Sequence, residues 1–158
     1  MRRQGPGSSR ARSCASGVAA LALFWLVAEP AVGSVAFAAR AAQPAGDTQV
    51  QQAGQVTVAV TWLGGGEELA IRVVLDTHIL DLDQYDLTRL AVVRTDQGTE
   101  VAATGWDAPA GVHHREGTLR FPAMTENGTA LLAAETRGLE LLIRDVAGIP
   151  ERRFAWTW

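Results

Sequence analysis

QVTVAVTWLGGGEELAIRVVLD, residues 55–76, decides the fold class. Val56, Val58, Val60 and Trp62 alternate with Thr57, Ala59 and Thr61, the period of two expected of a strand with one face in a core. Gly64, Gly65 and Gly66 interrupt the pattern, and Leu69, Ile71, Val73 and Leu75 resume it on one face. Two alternating runs joined by glycines predict an antiparallel hairpin with a loose connection.

C-terminal to this hairpin, residues 76–90 (DTHILDLDQYDLTRL) are dense in aspartate and read as a crossover loop with room for a helical turn. Residues 91–94 and 100–104 flank Asp96-Gln97-Gly98, a turn composition that predicts a second hairpin. A proline- and glycine-rich loop is expected from Trp106 to Gly117. Strand patterns return at 118–121, at 138–144, and over Phe154, Trp156 and Trp158. Between Pro122 and Arg137, periodicity does not separate a short helix at 129–135 from a strand, and a strand is the expectation. About seven short strands with regular turn signals and no long helix predict an all-β, antiparallel β-sandwich of immunoglobulin-like type. A small barrel is the runner-up. The Cys, Trp, Cys pattern of true immunoglobulin domains is missing.

On the N-terminal side, residues 39–54 are small and polar without an apolar period, which predicts a flexible spacer before a domain at 55–158. Residues 1–38 carry a basic start, the apolar run Val18–Ala28, and Ala36 and Ala38 spaced for signal peptidase. A signal peptide cut before Ala39 is the expectation, with a periplasmic or extracellular product. The run is too short for a membrane span, which takes roughly 20 residues. The alternative is an uncleaved inner-membrane anchor over 18–39, the one route to a membrane partner.

Composition then restricts the chemistry. Removing Arg2, Arg3, Arg10, Arg12 and Glu29 from the totals of 14 basic and 17 acidic residues leaves ten arginines against sixteen carboxylates. An acidic domain with scattered arginines is not expected to bind nucleic acid. Cys14 is the only cysteine, Ser34 the last serine, and lysine is absent throughout. From Ala39 onward there is no disulfide, no thiolate ligand, and no seryl, cysteinyl or Schiff-base intermediate.

Three stretches, LDTHILDLDQYDL at 75–87, GWDAPAGVHHREGTLRF at 105–121 and IRDVAGIPERRFAW at 143–156, resemble a group of short exported bacterial and archaeal proteins. That group shares a Leu-Asp-Thr-His segment, a double histidine before a strand, and a closing Pro-Glu-Arg segment. The resemblance spans about Val56 to Trp158 and implies a β-rich domain; it implies no activity. Val112 stands where the group's pattern would have a second glycine.

Candidate functional residues follow from residue type. His78, His113 and His114 are the only imidazoles, and with Asp76 they form a candidate Zn or Cu site, since imidazole suits both ions. Their competing role is to hydrogen-bond the loops in place of disulfides. Asp81, Asp83 and Asp86 resemble the start of a calcium loop but lack its glycine and closing glutamate, so helix and turn capping is the expectation. Asp76 with Asp107 is the carboxylate pair a hydrolase would need. Glu151 with Arg152 is expected to lock a crossover between two strands as a structural pair. Trp62, Trp106, Trp156 and Trp158 offer a carbohydrate face, or, as expected for Trp106 and Trp156, a core that a cysteine-free domain needs. The composite expectation is a non-enzymatic binding or structural domain with no obligate cofactor and an unknown partner. Metal handling is the alternative, and catalysis by paired carboxylates comes behind it.

Overall fold

The computed structural model describes residues 46–158; the expected signal peptide and the start of the spacer lie outside the described residues. The strands are β1 (Thr48–Ala53), β2 (Val56–Gly65), β3 (Glu68–Asp76), β4 (Ala91–Thr95), β5 (Glu100–Ala102), β6 (Gly105–Trp106), β7 (His114–Pro122), β8 (Gly138–Val146) and β9 (Ile149–Thr157). A 3-10 turn, Leu82–Gln84, and one helical turn, α1 (Leu87–Leu90), lie between β3 and β4. All pairings are antiparallel, in a five-stranded sheet β1-β2-β3-β7-β6 and a four-stranded sheet β5-β4-β8-β9. The domain is the expected antiparallel sandwich.

The hairpin that decided the fold pairs Thr57 with Asp76 at one end and Gly65 with Leu69 at the other, with a bulge between Trp62 and Gly64. Its alternation sends Val56, Val58, Val60, Trp62, Leu69, Ile71, Val73 and Leu75 inward. The opposite sheet answers with Val93, Leu139, Leu141, Ile143, Phe154 and Trp156. Trp62 and Trp156 meet across the sheets with ring centroids 5.8 Å apart. Each such side chain contributes roughly 2–3 kcal/mol on burial. The tryptophans therefore build the interior instead of a sugar-binding face; Trp106 and Trp158 are half-buried against the same core.

Four local expectations change. Residues 48–53, placed in the flexible spacer, form β1, because its half-buried glutamines find partners on β9 that only the folded chain supplies. The Trp106–Gly117 loop is shorter than expected: β6 uses Gly105 and Trp106, and β7 starts at His114. Residues 123–137 are neither strand nor helix, and hold a single bridge, Met124 to Ala130, besides turns. The Pro150-Glu151-Arg152-Arg153 segment lies inside β9, which accepts a proline because it is an edge strand.

Both open sides of the sandwich are closed. On one, Ala103 N–H donates to Ala91 O at 3.1 Å and Thr104 N–H to Arg120 O at 2.8 Å, so the chain leaves one sheet for the other within two residues. On the other side, the side-chain amide of Gln49 takes the place of a strand. Its Nε2 donates to Ala155 O at 2.8 Å and its Oε1 accepts from Ala155 N–H at 3.2 Å, while Gln51 Nε2 donates to Arg153 O. Three backbone groups on the edge of β9, which would otherwise invite another chain, are thereby satisfied.

The outer face of the four-stranded sheet carries a continuous chain of ion pairs: Glu140 to Arg94, Arg94 to Glu100, Glu100 to Arg144, Arg144 to Glu151 and Glu151 to Arg153. Leu142 faces outward among them, opposite Val92 and Arg153, yet is 0 % exposed. Long arginine and glutamate stems screen it while their heads stay wet.

Two outcomes are expected. Gln49→Ala should lower stability by about 0.5–1.5 kcal/mol, the net worth of hydrogen bonds whose exposed backbone partners water can take over, and should speed hydrogen exchange at the Ala155 amide; unchanged exchange there would show the seam to be idle. The second concerns acid. A hydrogen bond from Arg144, reinforced by Arg153, holds Glu151 below the ordinary carboxylate range, and Thr88 does the same for Asp86. Carboxylates with depressed values stabilise the fold fully above their unfolded pKa, about 4, and lose that contribution as pH falls through the folded values. Melting temperature should therefore hold from neutral pH down to about 5 and fall below it, with a shallower acid fall in Glu151→Gln.

Candidate functional site

One end of the sandwich gathers the β1–β2 turn, the β3–β4 connection, the β6–β7 connection and the β8–β9 turn; Gly46 and Trp158 lie at the other end. There the last β3–β7 pair is Asp76 with His114. Beyond it the two loops run side by side: Thr77 N–H donates to His113 O at 2.9 Å, and Leu82 N–H to Val112 O at 2.8 Å. Asp81 caps the 3-10 turn through Asp83 N–H, and Asp86 caps α1 through Thr88 N–H. Asp83 accepts instead from Gly111 N–H, at 2.9 Å. The aspartates thus act as caps and a brace, and do not face one another as calcium ligands would.

Arg115 organises both loops. It opposes Leu75 and is in phase with Leu119 and Phe121, so it points inward and is 9 % exposed. Its Nη1 donates to Leu82 O at 3.1 Å and Tyr85 O at 3.0 Å, its Nη2 to Ala108 O at 3.3 Å, and its Nε to Pro109 O at 3.3 Å. Asp83 supplies the countercharge 3.4 Å from Nε, and the guanidinium carbon sits 5.8 Å from the Trp106 ring centroid. Carbonyls in a loop have no ladder partner, so one planar cation with five donors satisfies several at once. Gly117 lets the incoming loop lie against β7: a Cβ there would stand 2.5 Å from Ala108 N.

Arg152 does for the other two turns what Arg115 does for the loops. In phase with Phe154 and Trp156, it is 2 % exposed, and donates to Val146 O at 2.9 Å and Ala53 O at 2.8 Å. Burial pushes its pKa down and the nearby Tyr85 opposes that shift. Glu151 is not its partner. Adjacent strand residues face opposite sides, so Glu151 lies outside, bonded to Arg144 and Arg153, while Arg152 turns inward.

The histidines do not converge. His78 is exposed; the Nδ1–H of His113 donates to Leu80 O at 3.0 Å; that of His114 donates to Asp76 Oδ2 at 3.0 Å. The other nitrogen of His114 stands 4.0 Å from Glu116, which Arg72 engages. His113 ends a loop and His114 starts a strand, and their imidazoles are bonded to different groups, a carbonyl of the β3–β4 connection and the carboxylate that ends β3. Among the described residues no group of three His, Cys, Asp or Glu side chains comes together. Nor do Asp76 and Asp107 pair. Asp107 accepts from Thr118 N–H and from Arg120 at 3.1 Å, four residues along β7 from the partner of Asp76, or about 13 Å at strand rise.

Two apolar side chains remain outside on these loops, Ile79 at 64 % and Val112 at 50 % exposure. Exposed Asp81 and Asp86 lie on the same loop as Ile79. What residue type alone missed is Arg115, which has no role among the candidate residues read from the sequence. Its signal was phase: extending the Leu119 and Phe121 alternation back by two steps puts an arginine on the core face.

Arg115→Met should cost about 3 kcal/mol or more, because several carbonyls lose a charged donor at once, with a shift in Trp106 fluorescence. His113→Ala should cost about 1 kcal/mol and His78→Ala less than about 0.5 kcal/mol. Urea melts check the order; a larger loss in His113→Ala than in Arg115→Met would transfer the organising role to the histidine.

No family model matches the chain, and no curated protein matches it. Among solved structures it is similar to a DUF4426 family protein from Pseudomonas aeruginosa, with a TM-score of 0.39 and 11% identity over 70% of this chain and 94% of that one.

Proposed function

We propose that the chain is an exported, non-enzymatic binding domain whose recognition surface is the loop end bearing Ile79 and Val112. The observation that carries this reading is the exposure of two β-branched apolar side chains on loops fixed by Arg115. Loops already ordered lose little entropy on docking, so their apolar tips are available for affinity. The surface also lies opposite the ends of the described chain, Gly46 and Trp158, where a tether would not obstruct it. Exposed Asp81 and Asp86 on the connection that bears Ile79 favour a protein partner with an apolar socket and a basic rim, and disfavour phosphate backbones and anionic membrane. The non-enzymatic part rests on the lack of Ser, Cys and Lys after Ser34, and on Asp76 and Asp107 being engaged by His114 and Arg120.

The test uses three baits immobilised against an envelope extract of the source cell: wild type, Ile79→Asp with Val112→Asp, and Met124→Asp at the opposite end. Wild type and Met124→Asp should retain the same protein, and the double variant should bind it at least about tenfold more weakly, given the apolar burial each site would contribute. Equal retention by all three baits would remove the loop end as the surface.

A further inference from the structure

Asn127 is the only asparagine in the chain, and glycine follows it. Both residues are exposed at the tip of the β7–β8 connection. Thr125 N–H donates to Thr129 O at 2.8 Å and Gly128 N–H to Thr125 O at 2.9 Å, closing a turn in which Gly128 has φ +74°. A Cβ built on Gly128 meets nothing within 4 Å, so nothing packs against its α-carbon.

We propose that Asn127-Gly128 is a self-modification site, at which the folded protein converts its single asparagine into an aspartyl or isoaspartyl residue. The Gly128 amide nitrogen, once deprotonated, attacks Cγ of Asn127. A C–N bond forms, the Cγ–Nδ2 bond breaks, and ammonia leaves carrying the amide proton. Water then opens the five-membered succinimide at either carbonyl. Glycine permits this because no side chain shields the attacking nitrogen. The turn's guard is one exposed hydrogen bond, Gly128 N–H to Thr125 O, and it must open before attack.

The consequence reaches the core through the segment behind the turn. Met124 pairs with Ala130, and Leu131 N–H donates to Ala123 O at 2.8 Å, which places Leu131 in the hydrophobic interior. An isoaspartyl linkage runs the backbone through the β-carbon and adds an atom between Thr125 and Thr129. The Met124–Ala130 register and the seat of Leu131 are both strained by that insertion. Either product also puts a new carboxylate beside Glu126.

The experiment ages the full chain at mildly alkaline pH, folded and in denaturant, and follows intact mass, anion-exchange retention and isoaspartyl labelling by a carboxyl methyltransferase. The folded chain should gain one dalton, faster as pH rises, with two more acidic products mapped to position 127; Asn127→Gln should gain none. A single exposed hydrogen bond should slow the folded rate by no more than about tenfold relative to the denatured chain. A folded rate more than about tenfold slower would overturn the proposal, since the turn would then be a barrier. Conversion in Asn127→Gln would overturn it by placing the chemistry elsewhere.

Discussion

The guanidinium of Arg115 is the group on which the ordered loop end depends. A sandwich leaves its connections outside the ladders, and their carbonyls must be satisfied by water or by a donor brought to them. Arg115 starts on the core face of β7 and reaches the loops from beneath, where Leu82, Tyr85, Ala108 and Pro109 present their oxygens. Arg152 repeats the arrangement for Val146 and Ala53. Buried charge is ordinarily costly, and a guanidinium bonded only to carbonyls recovers much of that cost through charge-assisted hydrogen bonds. In a domain without disulfides, two such cations span connections that cross-links would otherwise hold.

The sheet edges are treated by the same economy of side chains. Gln49 offers Ala155 one acceptor and one donor, the two groups a neighbouring strand residue would offer. The β5–β6 switch closes the other side with backbone alone. Surface ion pairs on the four-stranded sheet contribute little individually, typically about 0–1 kcal/mol. Their value here is cover for Leu142, whose outward phase would otherwise expose it.

These devices engage most of the side chains that the sequence offers as candidate ligands and acids. His113, His114, Asp76, Asp83 and Asp107 each have a structural partner, and Ile79 and Val112 are left displayed. The proposed recognition role rests on these displayed tips and on loops tied down by hydrogen bonds.

Much of the sandwich was legible in the sequence because a period of two is a local property: the β2–β3 hairpin, the β4–β5 hairpin, β8 and the end of β9 follow from the order of valines, leucines and tryptophans. The absence of Ser, Cys and Lys was likewise decided by the chain itself. The alternation of β7 and β9 carries the inward phase of Arg115 and Arg152, a signal that the expected Glu151–Arg152 pair passed over. Only tertiary structure decided β1, whose glutamines need β9, about a hundred residues away, as their partner. It also decided the divergence of the histidines, because the direction of an imidazole depends on which loop carbonyl or carboxylate lies beside it. Such contacts join residues far apart in sequence, and no local pattern encodes them.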